Sequence, residues 1–336
     1  QQWDENVGRC YVVKDAGDDP DVTHGAEVHA EISFAETVVA DPCVCPVLPG
    51  PGGRTDGFAP TKVVIEGGPG VGRVTKPGLA VAVGEWAINP VPRRMIAEAV
   101  LEVFPPHSSP FAPQVTLSIP DGLKRARRTL NERLGIIGGL SILGTTGVVK
   151  PISHKAWTDT LDVALDVALA CGCSRVILCT GRSSEKAAQE QLPDRSEAFV
   201  MMGDHVGYAL EACHRRGIRE IILAVQFAKL VKIACGHAQT HVSSSRLDLE
   251  ELASWGRNLG LDQGSMEAIE CANTAREVRE NPRIPQALFA DVAQKAILQC
   301  SGRAPGSEIK IMLVGYNHRI QCFGPQPVEP AEKDER

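Results

Sequence analysis

Val176-Ile177-Leu178-Cys179-Thr180-Gly181 is a run of four apolar residues that ends on a hydroxyl and a glycine. A run so short and continuous, bounded by turn formers, fits a strand buried on both faces better than an amphipathic one. Ala198 to Met202 and Ile221 to Val225 repeat the pattern, and Glu308 to Val314 forms a last strand. Between the strands the apolar period becomes helical. Ala156 to Ala170 sets Leu161, Ala164, Leu165 and Ala168 on one face and Asp159, Asp162 and Asp166 on another. Further helices are predicted over Val206 to Arg215, Ala228 to Cys235, and roughly 247–259, 264–279 and 285–299. Apolar strands separated by helices predict a doubly wound, mainly parallel sheet covered on both faces. Ligands of such sheets sit beyond the carboxyl ends of the strands, here the loops after Cys179, Met202 and Val225.

Upstream of Lys150-Pro151 the rhythm differs. Tyr11-Val12-Val13 is a short extended run, Glu27 to Phe34 alternates as a half-buried strand should, and Lys62 to Ile65 and Val115 to Ile119 are further strands. Asp41 to Pro60, rich in proline and glycine, reads as a loop. Asn89-Pro90-Val91-Pro92 opens a helix running to about Phe104, with Asn89 placed to cap it and proline tolerated in its first turn. Gly122 to Asn131 reads as a basic, exposed helix. The fold class is therefore α+β and α/β: a mixed α+β domain over 1–150, a doubly wound α/β domain over 151–323, and a mobile charged tail over 324–336.

The chain has 336 residues, of which 43% are hydrophobic and 23% charged, ordinary soluble usage. A net charge of −6 supplies no basic field for nucleic acid or an anionic membrane. No apolar run approaches the roughly 18 residues that cross a bilayer. Gln1-Gln2-Trp3-Asp4 reads neither as a signal peptide nor as a natural start, so residues upstream are expected. Eleven cysteines, an odd number in a chain this long, argue against a disulfide framework. Cys43/Cys45 and Cys171/Cys173 lack zinc-ribbon spacing, and free cysteine packs as a small hydrophobe. The expected compartment is the cytoplasm.

Three segments carry chemistry. Lys14-Asp15-Ala16-Gly17-Asp18-Asp19-Pro20-Asp21-Val22-Thr23-His24-Gly25 gathers four aspartates and a histidine, either a solvated turn or a site. Packed together, those carboxylates would raise one another's pKa. The spacing matches a calcium loop only loosely. Gly67-Gly68-Pro69-Gly70-Val71-Gly72-Arg73-Val74-Thr75-Lys76-Pro77-Gly78 contains a glycine pattern, but no helix opens after it, which argues against a dinucleotide fingerprint. Arg73 and Lys76, with Arg93 and Arg94, could hold carboxylates, or this could be a glycine-bearing hairpin with solvated cations. Asn131 to Gly147 punctuates an apolar run with five glycines and ends in hydroxyls. It is either a backbone-lined crevice for a cofactor's carboxylate and ribose or a run of close-packed glycines. It lacks the lysine of a phosphate-binding loop.

These segments, in this order, resemble the CbiD family, the cobalt-precorrin-5B C1-methyltransferases. The matching words are Val13 to Gly25, Gly70-Val71-Gly72-Arg73-Val74-Thr75-Lys76-Pro77-Gly78-Leu79, Ile88-Asn89-Pro90-Val91-Pro92-Arg93-Arg94-Met95-Ile96, and Ser141-Ile142-Leu143-Gly144-Thr145-Thr146-Gly147. Thinner similarity runs through Val206-Gly207 and Lys229-Leu230-Val231-Lys232 to Thr240-His241. The chain departs from the family pattern at Thr180 to Ser184 and at Val225-Gln226-Phe227-Ala228, both in loops where the sheet should bind ligands.

The resemblance implies methylation of cobalt-precorrin-5B at ring carbon C1 with S-adenosylmethionine as cosubstrate, giving cobalt-precorrin-6A. Cobalt enters only within the tetrapyrrole substrate, no metal is held by the protein, and contact with neighbouring pathway enzymes is transient. On this reading Asp15, Asp18, Asp21 and His24 orient the ring or take up a proton. Gly138, Gly139, Ser141, Gly144, Thr145 and Thr146, with Thr180 and Gly181, hold the methyl donor. Arg73, Lys76, Arg93 and Arg94 meet the acidic arms of the substrate. The competing expectation is a non-catalytic carrier of the same tetrapyrrole, which would not bind the sulfonium.

Overall fold

The computed structural model describes residues 2–4, 7–17, 21–35, 63–105, 112–143, 154–316 and 320–324. The architecture is mixed α/β, and the chain divides into two compact units, Gln1–Ser153 and His154–Arg336. The expected loop over 41–60, the pair Cys43/Cys45, the residues Asp18, Asp19, Gly144, Thr145 and Thr146, and the tail from 325 lie outside the described residues.

Unit 1 contains β1 (Gln2–Asp4), β2 (Val7–Val13), β3 (Glu27–Ala35), β4 (Val64–Gly67), β5 (Gly70–Val71), β6 (Arg73–Val74), α1 (Pro90–Val103), β7 (Ala112–Ser118), α2 (Gly122–Ala126), β8 (Ile136–Ile137) and β9 (Gly139–Leu140). Its main sheet has the order β1-β2-β3-β7-β4 and is antiparallel apart from the β4–β7 pair. Val115, Leu117, Ile88, Val71 and Leu140 form its core, against which Ile96 and Val100 of α1 pack. Asn89 occupies the cap position of α1 but makes no side-chain cap bond. Pro90 at the first helical position removes a donor that would otherwise need an acceptor. The predicted basic helix stops at Ala126, five residues short of Asn131. The Thr129 hydroxyl donates to the Ala126 carbonyl at 2.8 Å, and successive three-residue turns replace the next helical turn.

Glycines fix how three segments of unit 1 meet. A Cβ on Gly139 would lie 2.1 Å from the Gly70 carbonyl oxygen, as would one on Gly122. Gly70 itself has φ +80, and a Cβ there would fall 1.8 Å from the Ile119 oxygen. The β5–β9 pair and the start of α2 therefore press backbone against backbone, an approach that only glycine permits.

Unit 2 contains α3 (His154–Ala170), β10 (Val176–Cys179), α4 (Arg182–Gln191), a single 3-10 turn (Ser196–Ala198), β11 (Phe199–Met201), α5 (Val206–Arg215), β12 (Glu220–Val225), α6 (Phe227–Ala234), α7 (Leu249–Asn258), α8 (Gln263–Glu270), α9 (Ala275–Glu280), α10 (Gln286–Arg303), β13 (Glu308–Val314) and β14 (Ile320–Phe323). The sheet order is β11-β10-β12-β13-β14, parallel except for the antiparallel edge β14. Val176 and Leu178 enter one core with Leu161 and Leu165 of α3, Leu210 of α5 and Phe289 of α10. Ile177 and Cys179 enter the other with Ala187 and Ala188 of α4.

The single helix expected over 264–279 is two. Thr274 caps α9 by accepting from the Glu277 amide at 3.2 Å, and this cap begins a new helix axis. Burial pushes the thiols of Cys213 and Cys300 up to about 12 and that of Cys235 to about 11, so these cysteines act as packing groups. All nine described cysteines are free. No described helix is long and apolar enough to cross a membrane.

Gly139→Ala should destabilise unit 1 by about 3 kcal/mol or more, because a methyl group cannot share space with the Gly70 backbone. Urea unfolding followed by circular dichroism measures this.

Candidate functional site

In unit 2 the second strand, β11, lies on one side of the first, β10, and the third, β12, on the other, so the strand order reverses at β10. Such a reversal opens a crevice at the carboxyl ends of the strands, the usual ligand position in an open parallel sheet. Thr180 and Gly181 follow β10 there. The Thr180 amide donates to the Ala224 carbonyl at 3.2 Å, which ties the loop to β12. The Gly181 amide donates to Ser184 Oγ at 3.0 Å, and that hydroxyl donates back to the Gly181 carbonyl at 2.8 Å. The first turn of α4 is thereby closed on itself.

Lys229, in the first turn of α6, spans the crevice. Its Nζ donates to the Thr180 carbonyl and to Asp204 Oδ1, 3.0 Å in each case. Asp204, just beyond β11, also accepts from the Thr240 hydroxyl on Oδ1 at 2.7 Å, while its carbonyl accepts from the Thr240 amide at 3.0 Å. Lys232, almost fully buried, donates to the Thr240 carbonyl at 2.9 Å. Trp157 of α3 stands beside this loop, with its indole N–H donating to the Met202 carbonyl at 3.2 Å. The loops were legible from the sheet rule, but Asp204, Lys229 and Trp157 as a group were not. The available signal was a Gly203-Asp204 pair directly after the apolar run that ends at Met202.

In unit 1 the acidic segment is the loop of the β2–β3 hairpin. Its ends are joined by Lys14 N–H to Ala26 O and Gly25 N–H to Lys14 O, 2.8 Å each. Asp21 accepts from the Lys14 ammonium and from the Thr23 amide and hydroxyl. Partial burial alone would raise its pKa, but these donors together hold it below the usual range, opposite to the rise expected from crowded carboxylates. Asp15 is exposed and closes a turn by accepting from Gly17 N–H at 2.9 Å. His24 Nδ1 accepts from Ala16 N–H at 3.1 Å, which places the ring proton of the neutral form on Nε2. Arg125, not singled out in the sequence, donates to the carbonyls of Val22 and His24 at 2.7 Å each and anchors the hairpin loop to α2.

Three of the four candidate cations have internal partners. The Arg73 guanidinium lies 4.0 Å above the Trp86 ring and donates to Gly84 O at 2.6 Å. Lys76 donates to Arg133 O at 3.1 Å. Arg93 donates to the carbonyls of Ile88, Ile65 and Trp86 at 2.9, 3.2 and 3.2 Å. Arg94 is exposed, with Glu98 3.7 Å away. In the glycine run, Gly139 is buried against Gly70, Gly138 is exposed with open space on its Cβ side, and Ser141 Oγ lies 3.5 Å from Asn131 Oδ1. Among the described residues no group of His, Cys, Asp and Glu could hold a metal ion.

A parallel sheet with a polar crevice at its point of reversal is the arrangement of small-molecule-binding α/β proteins. The model of the CbiD family matches residues 1–151, and that of the CbiD C-terminal domain matches 239–322. A Citrifermentans bemidjiense protein named cobalt-precorrin-5B C(1)-methyltransferase is 52% identical over 321 residues, covering 96% of this chain and 84% of its own. A Geobacter sulfurreducens protein of the same name is 53% identical over 327 residues, covering 96% and 86%. A crystal structure of the cobalamin biosynthesis protein (cbiD) from Archaeoglobus fulgidus is 26% identical, covers 76% of this chain and 68% of its own, and has a TM-score of 0.29. The chain belongs to the CbiD family.

Partial burial alone would raise the Asp204 carboxyl, but the Thr240 hydroxyl and the Lys229 ammonium hold it below the ordinary value of 3.8. A carboxylate with a depressed folded-state pKa stabilises the fold above its unfolded value and loses that contribution as the pH falls through the folded one. Asp204→Asn should therefore cost stability at pH 7 and show a shallower decline than the parent below about pH 4. Urea midpoints measured across acidic pH compare the two.

Proposed function

We propose that this chain methylates cobalt-precorrin-5B at ring carbon C1, with S-adenosylmethionine as donor, to give cobalt-precorrin-6A in anaerobic cobalamin biosynthesis. One observation carries this reading: identity above one half, over 96% of the chain, to proteins named for that activity. The similarity runs through both units, which argues for a whole enzyme of this kind rather than a borrowed module. The cytoplasm is the compartment the reading implies, with transient contact to the enzymes that supply the substrate and take the product.

The donor supplies a sulfonium methyl: a bond forms from methyl to C1, the S–C bond breaks, and its electron pair stays on sulfur. The macrocycle acquires the lost positive charge and returns to its starting charge by releasing one proton. Proximity and orientation can supply about 7–11 kcal/mol of such a barrier, so the protein's task is chiefly to hold two reactants in line. The crevice of unit 2 is our choice for the donor, with Thr180 and Gly181 at its edge. Two features of that crevice suit a polar cosubstrate. Asp204 Oδ2 has no partner among the described residues, and the backbone donors that begin α4 carry the positive end of a helix. Gly139 is assigned to packing instead.

In unit 1, Arg94 is the cation we assign to a carboxylate arm of the substrate, because Arg73, Lys76 and Arg93 have carbonyls of their own to serve. Asp15 and His24, exposed at the base of the hairpin loop, are retained as groups that orient the ring or accept the proton. Cobalt arrives inside the substrate.

Incubation with cobalt-precorrin-5B and methyl-labelled S-adenosylmethionine should give a product heavier by one labelled methyl. Tetrapyrrole binding without S-adenosylhomocysteine binding would instead make the chain a carrier. Arg94→Ala should weaken tetrapyrrole binding by about three- to tenfold, as for a rim charge, and leave S-adenosylhomocysteine binding unchanged. Arg93→Ala should lower stability by about 2 kcal/mol, since it strips a charged donor from three carbonyls. Calorimetric titration and thermal unfolding separate the two outcomes.

A further inference from the structure

Trp157 is fixed at three points yet left open on part of its surface. Its indole N–H is bound to the Met202 carbonyl at 3.2 Å. Its six-membered ring rests on the backbone of Gly203, where an added Cβ would lie 2.8 Å from indole Cζ2. The His205 ring stacks beside it with centroids 6.0 Å apart and planes 25° from parallel. Gly203 adopts φ +61, which lets the chain turn directly under the indole. Even so, 44% of the tryptophan remains exposed. A large aromatic ring held rigid at a surface costs no further ordering entropy when a flat ligand settles on it.

The same loop carries Asp204, one residue beyond the glycine under the ring. Both of its side-chain partners, Lys229 and Thr240, bind Oδ1. Oδ2 has no partner among the described residues, and the side chain is partly open to solvent. Lys229 joins this carboxylate to the Thr180 carbonyl, so platform, acceptor and crevice edge form one contiguous patch at the carboxyl ends of β10 and β11. A flat aromatic face next to a carboxylate oxygen with spare lone pairs matches a purine nucleoside, with base on ring and ribose diol on carboxylate.

We infer that Trp157 and Asp204 form the adenosine subsite of the methyl donor, with the purine stacked on the indole and the ribose hydroxyls donating to Asp204 Oδ2. The inference rests on the methyl-transfer reading and goes beyond it by naming which part of the donor is recognised and by which groups. The methionyl part then extends towards Thr180 and Gly181.

Binding, not turnover, tests it. Adenosine and S-adenosylhomocysteine should each quench the tryptophan fluorescence of the wild-type chain. Trp157→Phe should remove the quench and keep calorimetric affinity within about threefold, because a smaller ring still stacks, whereas Trp157→Leu should weaken both ligands by about tenfold or more. Asp204→Asn should weaken adenosine and leave 2′,3′-dideoxyadenosine, which has no diol to donate, unchanged. If S-adenosylhomocysteine binds the wild type and both Trp157→Leu and Asp204→Asn equally well, this subsite is overturned and the methyl-transfer reading stands. A wild-type chain that binds neither ligand overturns both.

Discussion

Lys229 reaches from α6 to two loops that are distant in sequence, donating to a carbonyl after β10 and to a carboxylate after β11. The parallel sheet brings those loops to one end, the Met202 and Gly203 amides both reach the Cys179 carbonyl, and the ammonium adds a side-chain tie between them. Without it the Thr180 carbonyl would need another donor and the Asp204 carboxylate would keep only Thr240 as its side-chain donor. Asp204 is in turn fixed by Thr240, whose carbonyl is held by the buried Lys232, so the arrangement is supported from behind by a second cation. Two lysines three residues apart on α6 thus do consecutive jobs, one facing the crevice and one its supporting loop.

Unit 1 depends on a different constraint, the exclusion of side chains where β5, β9 and α2 meet. Gly70, Gly122 and Gly139 are glycine because carbonyl oxygens occupy the space where their Cβ atoms would stand. Glycine-rich runs are ambiguous in a sequence for this reason: the missing side chain makes room for a ligand or for another stretch of the same backbone. Here the long-range pairing of Gly70 with Gly139 decides the matter for Gly139, and nothing local to Asn131–Gly147 announces that partner.

Much of the strand and helix pattern was legible because it is local. The continuous apolar runs at Val176 and Ile221 and the amphipathic stretch over Ala156 to Ala170 became β10, β12 and α3 nearly residue for residue. α4 was not legible, since Ala187 and Ala188 are its only apolar residues and the rest of its sequence reads as solvated. β14 was hidden for the opposite reason, as a four-residue edge strand that exists only through its pairing with β13. The site followed the same division. The loops after Cys179 and Met202 could be nominated from strand polarity alone. That Arg93 serves carbonyls while Arg94 is exposed depends on contacts up to 28 residues away, which no neighbouring residue encodes.

The distribution of thiols has a practical side. Cys10, Cys271 and Cys322 are exposed, whereas Cys213 and Cys300 lie deep in the core that joins α5, α10 and the sheet. An alkylating reagent will therefore find two populations, one modified on mixing and one that waits for the core of unit 2 to open. The slow population reports the opening of that core in the unaltered chain. The protein carries a clock of its own unfolding, readable by mass spectrometry without a dye or a mutation.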